Sequence, residues 1–389
     1  MKKTLCILSA VVLVFMALSS CTKKEIPTAP DSPTATPTIT YTITPSDDTA
    51  TATPTNTITF TVTATATPTE IHTPADTVTA THTPTFTATA TPTSAVTVIP
   101  TNTPIPFYAT KIAGGGAHSL TLKSDGTLWA AGYNWAGQLG SEDNDDRNEF
   151  VPVLSGVSEI AGGGEHSLAL KSDGTLWVAG NNWYGQLGTG DNNHRNEFVQ
   201  VLSGVSEIAC GYYHSLALKS DGTLWAAGYN WAGQLGSEDN DDRNEFVQVL
   251  SGVSEIAGGG EHSLALKSDG TLWAAGMNWD GQLGTGDNNH RNEFVQVLSG
   301  VSEIAGGYAH SLALKSDGTL WAAGMNGVGQ LGTGDNNARN EFVQVLSGVS
   351  EIAGGGFHSL ALKSDGTLWA AGMNGVGQLG TGDNNARNE

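Results

Sequence analysis

The sequence predicts an all-β protein, a β-propeller of six four-stranded blades preceded by a disordered Thr/Pro-rich stalk. Six near-identical copies of one segment follow each other with a period of 48 residues. Each copy contains four short strand-like segments, and none shows the sustained 3.6-residue apolar period of an amphipathic helix. A strand-rich repeat of this length is typical of sheets arranged radially around an axis. We expect residues 107–389 to form the propeller.

The first 20 residues have the pattern of a secretory signal. Lys2 and Lys3 precede an apolar run that ends in LSSC at residues 18–21, and this run is too short to span a bilayer comfortably. A leucine three residues before a cysteine, with small residues between them, resembles the lipobox of bacterial lipoprotein precursors. The pattern therefore predicts export and lipid attachment at Cys21, with membrane contact through the lipid anchor only. Ordinary cleavage beside an idle cysteine is the alternative.

Residues 21–106 hold the lipid site and a linker composed mainly of Thr, Pro, Ala and Val. Frequent proline prevents helix formation and strand pairing, so such a segment is extended, at up to about 3.1 Å per residue. We expect this stalk to hold the propeller away from the membrane, in an extracellular or periplasmic position.

Each copy of the repeat contains VSEIAGGG, HSLALKSDG, TLWAAG and, after a polar loop, FVQVLSG. Leu120 and Leu122 alternate with polar residues, as in a half-buried strand. The SDG triplet supplies the glycine that a tight hairpin needs at a positive φ. These four segments are the predicted strands of one blade.

The motifs IAGGGEHSLAL, SDGTLWAAG and NWYGQLGTGD resemble the repeat of the regulator of chromosome condensation family, whose members are commonly seven-bladed propellers. The resemblance extends from about Ile112 through every copy. This chain differs from the family in having six copies, the last of which lacks the FVQVL segment. Alignment of the first copy with the period predicts that Pro104 to Tyr108 supplies the fourth strand of the last blade and closes the ring; a truncated sequence is the alternative.

The resemblance implies two roles, of which the predicted export disfavours regulation of a small GTPase and the charge disfavours docking on chromatin. The founding member of the family is a nuclear exchange factor for a small GTPase and docks on chromatin. Between residues 107 and 389, 13 Lys and Arg face 32 Asp and Glu, a net charge of −19. Such a field repels nucleic acid. We expect no nucleic-acid partner, and regulation of a small GTPase is kept as the alternative function.

Several repeated residues invite chemical hypotheses that the pattern does not favour. The histidines lack a second ligand at metal-binding spacing and are expected to bond to backbone in a Gly-rich turn. The loop with Asp143, Asp145 and Asp146 lacks the spacing of a calcium loop, and a solvated acidic loop is expected. Glu165 and His166 are adjacent in sequence, so they point to opposite faces of a strand. The sequence therefore predicts no catalytic residue, metal site or cofactor.

One tryptophan per copy lies inside a strand beside leucine and alanine, which predicts that it belongs to the core between blades. This set is Trp129, Trp177, Trp225, Trp273, Trp321 and Trp369.

Differences among the copies indicate where a ligand binds. The KSDGT turn is identical in all six copies, whereas the residues before the histidine and after AAG vary. In an antiparallel blade the two variable connections lie at one end, which predicts one variable face and one constant face. Drift after recent duplication is the alternative explanation.

Four tryptophans in the variable segments are replaced by Gly327 and Gly375 in the last two copies. A buried tryptophan reduced to glycine would leave a large cavity, so we expect these side chains to be exposed and to bind a ligand. The predicted ligand-binding residues are Trp135, Trp183, Trp231, Trp279, Tyr184, Tyr212, Tyr213, Tyr308 and Phe357. The acidic loops at 142–146 and 238–242 are expected to rim them and to favour a partner with basic edges. The expected partner of this monomeric propeller is an extracellular protein or glycan.

Overall fold

A computed structural model of the chain describes residues 108–389. The signal, the lipid site at Cys21, the stalk and residues 104–107 of the predicted closing strand lie outside the described residues. Tyr108 is described, and it is exposed and precedes the first strand. The described residues form 23 strands, and they include no helix able to cross a membrane.

The strands fall into six consecutive groups that correspond to the six copies. The first strands of the groups are β1 (Ala109–Gly114), β5 (Val157–Gly162), β9 (Val205–Cys210), β13 (Val253–Gly258), β17 (Val301–Gly306) and β21 (Val349–Gly354). The second strands are β2 (His118–Lys123), β6 (His166–Lys171), β10 (His214–Lys219), β14 (His262–Lys267), β18 (His310–Lys315) and β22 (His358–Lys363). The third strands are β3 (Leu128–Gly132), β7 (Leu176–Gly180), β11 (Thr223–Gly228), β15 (Thr271–Gly276), β19 (Thr319–Gly324) and β23 (Leu368–Gly372). The fourth strands are β4 (Arg147–Leu154), β8 (Arg195–Leu202), β12 (Arg243–Ser251), β16 (Arg291–Ser299) and β20 (Arg339–Ser347).

Each group forms one antiparallel sheet whose strands pair in chain order, which is the four-stranded blade expected from the repeat. The hairpin between the second and third strands depends on a glycine with positive φ, such as Gly126 at 79°. In the sixth blade the described residues form three strands, and Gly372 pairs with Arg387 where a fourth strand begins in the other blades.

Successive blades share a hydrophobic core at each seam. In the first seam, Leu120, Leu128 and Leu139 of blade 1 pack against Ile160 and Phe198 of blade 2. The same positions meet in the next three seams, and in the fifth seam Leu312, Leu320 and Leu331 pack against Ile352. The first strands of neighbouring blades also contact each other, so they lie where the blades converge. Each blade is therefore buried against its neighbours, as in other repeat architectures.

The repeated histidines connect neighbouring blades. The His118 Nε2 lies 2.9 Å from the Ser167 Oγ of the next blade, and Ser167 Oγ donates to the Gln138 carbonyl at 2.6 Å. The same histidine–serine pair recurs at the next four seams. These five histidines are structural, as expected, but each ring also contacts a serine hydroxyl of the next blade, because the ring reaches across the seam.

The prediction that the strand tryptophans belong to the core between blades is correct only in part. Five of them are half-buried and Trp369 is 45% exposed; those packed against the seam cores are Trp177, Trp225, Trp273 and Trp321. Trp177 lies between Leu176 and Val178, which point to the opposite face and are fully buried. Its ring packs at the margin of the seam, its Nε1 donates to Thr175 Oγ1 at 3.0 Å, and Lys171 Nζ lies 3.9 Å from the ring centroid. The lysine contact recurs at all six positions, and the hydrogen bond to threonine recurs at Trp225, Trp273 and Trp321, so cation–π contact and hydrogen bonding take the place of full burial there.

The two outermost blades expose side chains that every other seam buries. Leu368 of blade 6 is 62% exposed, whereas its counterpart Leu272 in blade 4 is 0% exposed. Phe150 of blade 1 is 40% exposed, whereas Phe198 is 7% exposed. Within residues 108–389, the outer face of blade 6 therefore has no blade packed against it.

Candidate binding face

The variable face is the end of the propeller formed by the loops between first and second strands and between third and fourth strands. The constant face carries the KSDGT turns at the other end. Because the four strands of a blade pair in chain order, both variable loops of a blade emerge at the same end. All nine predicted ligand-binding residues lie in these loops.

Two clusters of aromatic rings lie on this face, each at a seam between two blades. In the first Trp cluster, Trp135 of blade 1 meets Trp183 and His194 of blade 2, with ring centroids 5.1 to 5.5 Å apart. In the second Trp cluster, Trp231 of blade 3 meets Trp279 and His290 of blade 4 at 5.2 to 5.5 Å. The rings are tilted or edge-on, which is the favoured geometry for aromatic pairs.

Three of the four tryptophans of these clusters are exposed, as the comparison with Gly327 and Gly375 predicts for all four. Trp183 is 56% exposed, Trp279 61% and Trp231 37%, while Trp135 is half-buried beneath its neighbours. The most exposed ring of each cluster is that of Trp183 in blade 2 or Trp279 in blade 4, and it presents a broad indole surface to solvent.

A second aromatic group extends from blade 2 to blade 6. We call it the tyrosine row; it consists of Tyr184, Tyr212, Tyr213, Tyr229, Tyr308 and Phe357. Its closest rings are Tyr184 and Tyr229, with centroids 4.4 Å apart, and Tyr308 meets Phe357 at 5.6 Å. Backbone bonds link the loops that carry it, since Gly164 N donates to Tyr212 O and Tyr212 N donates to Gly260 O, both at 3.0 Å. The row is therefore fixed to the convergent centre of the blades.

Sequence reasoning missed the histidines and carboxylates that complete the two Trp clusters. His194 Nδ1 accepts a hydrogen bond from Asn182 N at 2.9 Å. Burial lowers the pKa of His194, and the nearby carboxylate of Glu165 acts in the opposite direction. The pKa of His290 has the same two causes, with Glu261 in place of Glu165. A signal was present in the sequence: these glutamates and histidines occur together in the second and fourth copies only.

The acidic loops are more ordered than the expected solvated loops. Asp143 Oδ1 accepts from Ser141 Oγ at 3.0 Å and from Asp145 N at 3.2 Å, and its other oxygen pairs with Arg147. Hydrogen bonding to Arg147 lowers the pKa of Asp143. An aspartate occupies this position in all six copies, each paired with the arginine four residues later. These aspartates fold the loop and fix the arginines.

The described residues contain no group of three or more His, Cys, Asp or Glu arranged to hold a metal ion. The histidine–serine pairs have hydrogen-bond geometry, but His166 and Ser215 are both 0% exposed. A substrate atom therefore has no access to the Ser215 hydroxyl. The side-chain groups that the variable face offers to a ligand include aromatic rings, carboxylates and amides.

Fold and face together define a repeat-built propeller with an aromatic surface at one end. The family model of the RCC1-like domain matches residues 81–389, and the chain belongs to this family. No curated protein sequence shows significant similarity to the chain.

Two solved structures illustrate the likeness in fold. Yeast RCC1 (Prp20), in its complex with Kap60, is 22% identical and has a TM-score of 0.64, with 72% of this chain and 73% of that chain covered. Human WBSCR16 is 26% identical with a TM-score of 0.64, and 71% of this chain and 79% of that chain are covered. Another structure of Prp20p, from Saccharomyces cerevisiae and described with its binding properties to Gsp1p and histones, is 23% identical with a TM-score of 0.64 over 72% of this chain and 75% of that chain.

Proposed function

We propose that this chain is a binding propeller that recognises an extracellular protein or glycan through its variable face. The observation that carries the proposal is the concentration of exposed aromatic rings there: Trp183 and Trp279 are 56% and 61% exposed. Exposed aromatic patches on folded domains mark interaction sites, and Trp and Tyr are enriched among binding hot spots.

The differences among the copies support the same conclusion. Tyr212 and Tyr308 occupy a position that is glycine in the other four copies, so the scaffold tolerates the loss of either ring. Both tyrosines are exposed. Residues that the fold does not require, placed together on one face, are the expected result of selection for binding.

The proposal is tested by partner capture with variants borrowed from the other copies. The full chain and its W183G/W279G/Y212G/Y308G variant, in which each new glycine occurs at the same position of other copies, are immobilised and exposed to proteins and wall material of neighbouring cells. We expect the wild type to retain a component that the variant loses. The constant-face variant S220A/S268A is the control and retains it. Equal capture by all three chains would refute a role for the variable face.

We further propose that the propeller is exported and anchored by a lipid at Cys21. The lipobox-like tetrapeptide supports this, and the Thr/Pro-rich linker would give the binding face reach. Cells that express the chain are labelled with palmitate. We expect labelled protein in the lipoprotein fraction and loss of the label in Cys21→Ala; an unlabelled cytosolic product would overturn the proposal.

Family membership also supports one alternative, regulation of a small GTPase, since a fold relative is described with binding to Gsp1p. That alternative requires a cytoplasmic propeller. The net charge of −19 between residues 107 and 389 disfavours the binding of DNA. Palmitate labelling separates this alternative from the proposed display outside the cell.

A further inference from the structure

Each Trp cluster combines aromatic surface with a carboxylate. In the second cluster, Trp231 Nε1 donates to Glu261 Oε2 at 3.0 Å. The charge of Glu261 also acts to raise the pKa of His290, against the effect of burial. In the first cluster Glu165 has the same position relative to His194, and its Oε2 accepts from Asn181 Nδ2 at 2.9 Å. The two clusters are therefore two versions of one arrangement, built at alternate seams.

The geometry decides where a ligand can lie in each cluster. The rings of Trp183 and His194 are 5.3 Å apart and tilted by 58°, so they contact each other and leave no slot between them. The free surface is the exposed face of Trp183 and, in the second cluster, of Trp279. A ligand group would stack on the indole and reach the adjacent carboxylate from its edge.

Several hydrogen-bond donors near the clusters already have partners. Asn192 Nδ2 donates to Trp183 O at 2.7 Å, and Trp231 Nε1 is bonded to Glu261. The arginines of the neighbouring loops, such as Arg195 and Arg291, are paired with aspartates. Indole faces and carboxylate oxygens both attract a cation. The net charge of −19 between residues 107 and 389 adds a long-range attraction for positive groups, so the arrangement favours a cation.

We propose that each Trp cluster binds a cationic side chain, the guanidinium of arginine or the ammonium of lysine, from a basic segment of a protein partner. The indole of Trp183 or Trp279 provides the stacking surface, and Glu165 or Glu261 provides the opposite charge. This inference rests on the proposed function, because it names the ligand class of the same face. Two matched sites on one propeller raise the affinity for a segment that carries two spaced cations.

The test is titration of the full chain with an oligo-arginine peptide, followed by tryptophan fluorescence and calorimetry. We expect quenching and binding that weakens as the salt concentration rises from about 50 to about 500 mM. Two double variants should each lower the affinity about 10-fold or more. W183G/W279G removes the stacking surface and introduces the residue found in the last two copies. E165A/E261A removes the carboxylates and introduces the residue found as Ala117 and Ala309.

A matched control separates this site from general attraction to an acidic protein. E197Q/E293Q removes two exposed carboxylates from the same two blades and should change the affinity less than about 2-fold. If all three double variants bind oligo-arginine with the same affinity, the proposed sites do not exist. If cellulose- or chitin-derived oligosaccharides bind in a Trp-dependent manner and oligo-arginine does not, the cation proposal fails and the binding face stands. Failure of the proposed function is a separate result, namely partner capture that survives W183G/W279G/Y212G/Y308G.

Discussion

His166 and Ser215 are 49 residues apart in the chain, and their Nε2 and Oγ atoms lie 3.0 Å apart across a seam. Ser215 donates its proton to the Gln186 carbonyl at 2.6 Å, so the imidazole must donate its Nε2 proton to the serine. The His166 Nδ1 is buried and has no hydrogen-bond partner in the described part of the chain. Protonation there would place a charge in a dry seam, and burial accordingly lowers the pKa of His166 to about 3.

We predict that acid destabilises the propeller well above pH 4 because five seam histidines stay neutral when folded. Burial lowers their pKa values, to about 4 for His118 and His262 and about 3 for His166, His214 and His310. Below the ordinary pKa of about 6.5 the unfolded chain takes up protons that the folded chain does not, so the free energy of unfolding falls with pH by about 1.4 kcal/mol per unit per histidine. Urea unfolding between pH 7.5 and about 4.5 measures this slope.

Buried carboxylates change the free energy of unfolding with pH in the direction opposite to the histidines. Burial raises the pKa of Glu207 to about 8 and also raises that of Glu159, so the folded chain holds these protons as the pH falls. They offset part of the histidine effect without reversing it. His214→Gln should reduce the slope of the free energy of unfolding against pH by about 1.4 kcal/mol per pH unit, the contribution of one proton. His358→Gln, at a partly exposed position, should reduce this slope less. A free energy of unfolding that is constant from pH 7 to pH 5 would contradict this explanation.

Because the outer face of blade 6 is exposed, we predict that a leucine-to-alanine substitution there lowers the free energy of unfolding less than the same substitution in blade 4. Leu272→Ala removes a fully buried side chain and should cost about 2 to 5 kcal/mol. Leu368→Ala, at a position 62% exposed, should cost less than about 0.5 kcal/mol. Chemical unfolding of both variants gives the comparison. If the two costs are equal, something covers Leu368 in solution, and the seam between the outermost blades is closed.

Much of this fold could be predicted from the sequence, because each copy of the repeat corresponds to one blade. The alternation of Leu120 and Leu122 with polar residues identifies a strand, and the replacement of Trp279 by Gly327 in the next copy identifies an exposed ring. The histidine–serine pairs could not be predicted in this way. They depend on the register between blades, which the pattern within one copy does not contain. For the same reason the sequence did not predict that Trp177 lies at the margin of the seam and is only half-buried.

Two glutamates occupy a backbone conformation that suits glycine. Glu142 and Glu238 both have a φ of 68°, and the other four copies carry glycine at this position. A non-glycine residue in the left-handed region is strained. We predict that Glu142→Gly raises the free energy of unfolding by up to about 1 kcal/mol and that Gly190→Glu lowers it by a similar amount. Unfolding of the two variants beside the wild type measures both changes, and a loss of stability in Glu142→Gly would be contrary to the expected strain.

The claim that the exposed tryptophans serve binding and not folding is tested most directly by the variant W135G/W183G/W231G/W279G. Glycine already occupies these positions in blades 5 and 6, so the blades can fold without the rings. The measurement is the melting temperature of the variant beside its affinity for a ligand captured by the wild type. We predict a nearly unchanged melting temperature and loss of ligand binding. An unfolded variant, or one that binds as tightly as the wild type, would contradict the proposed binding face.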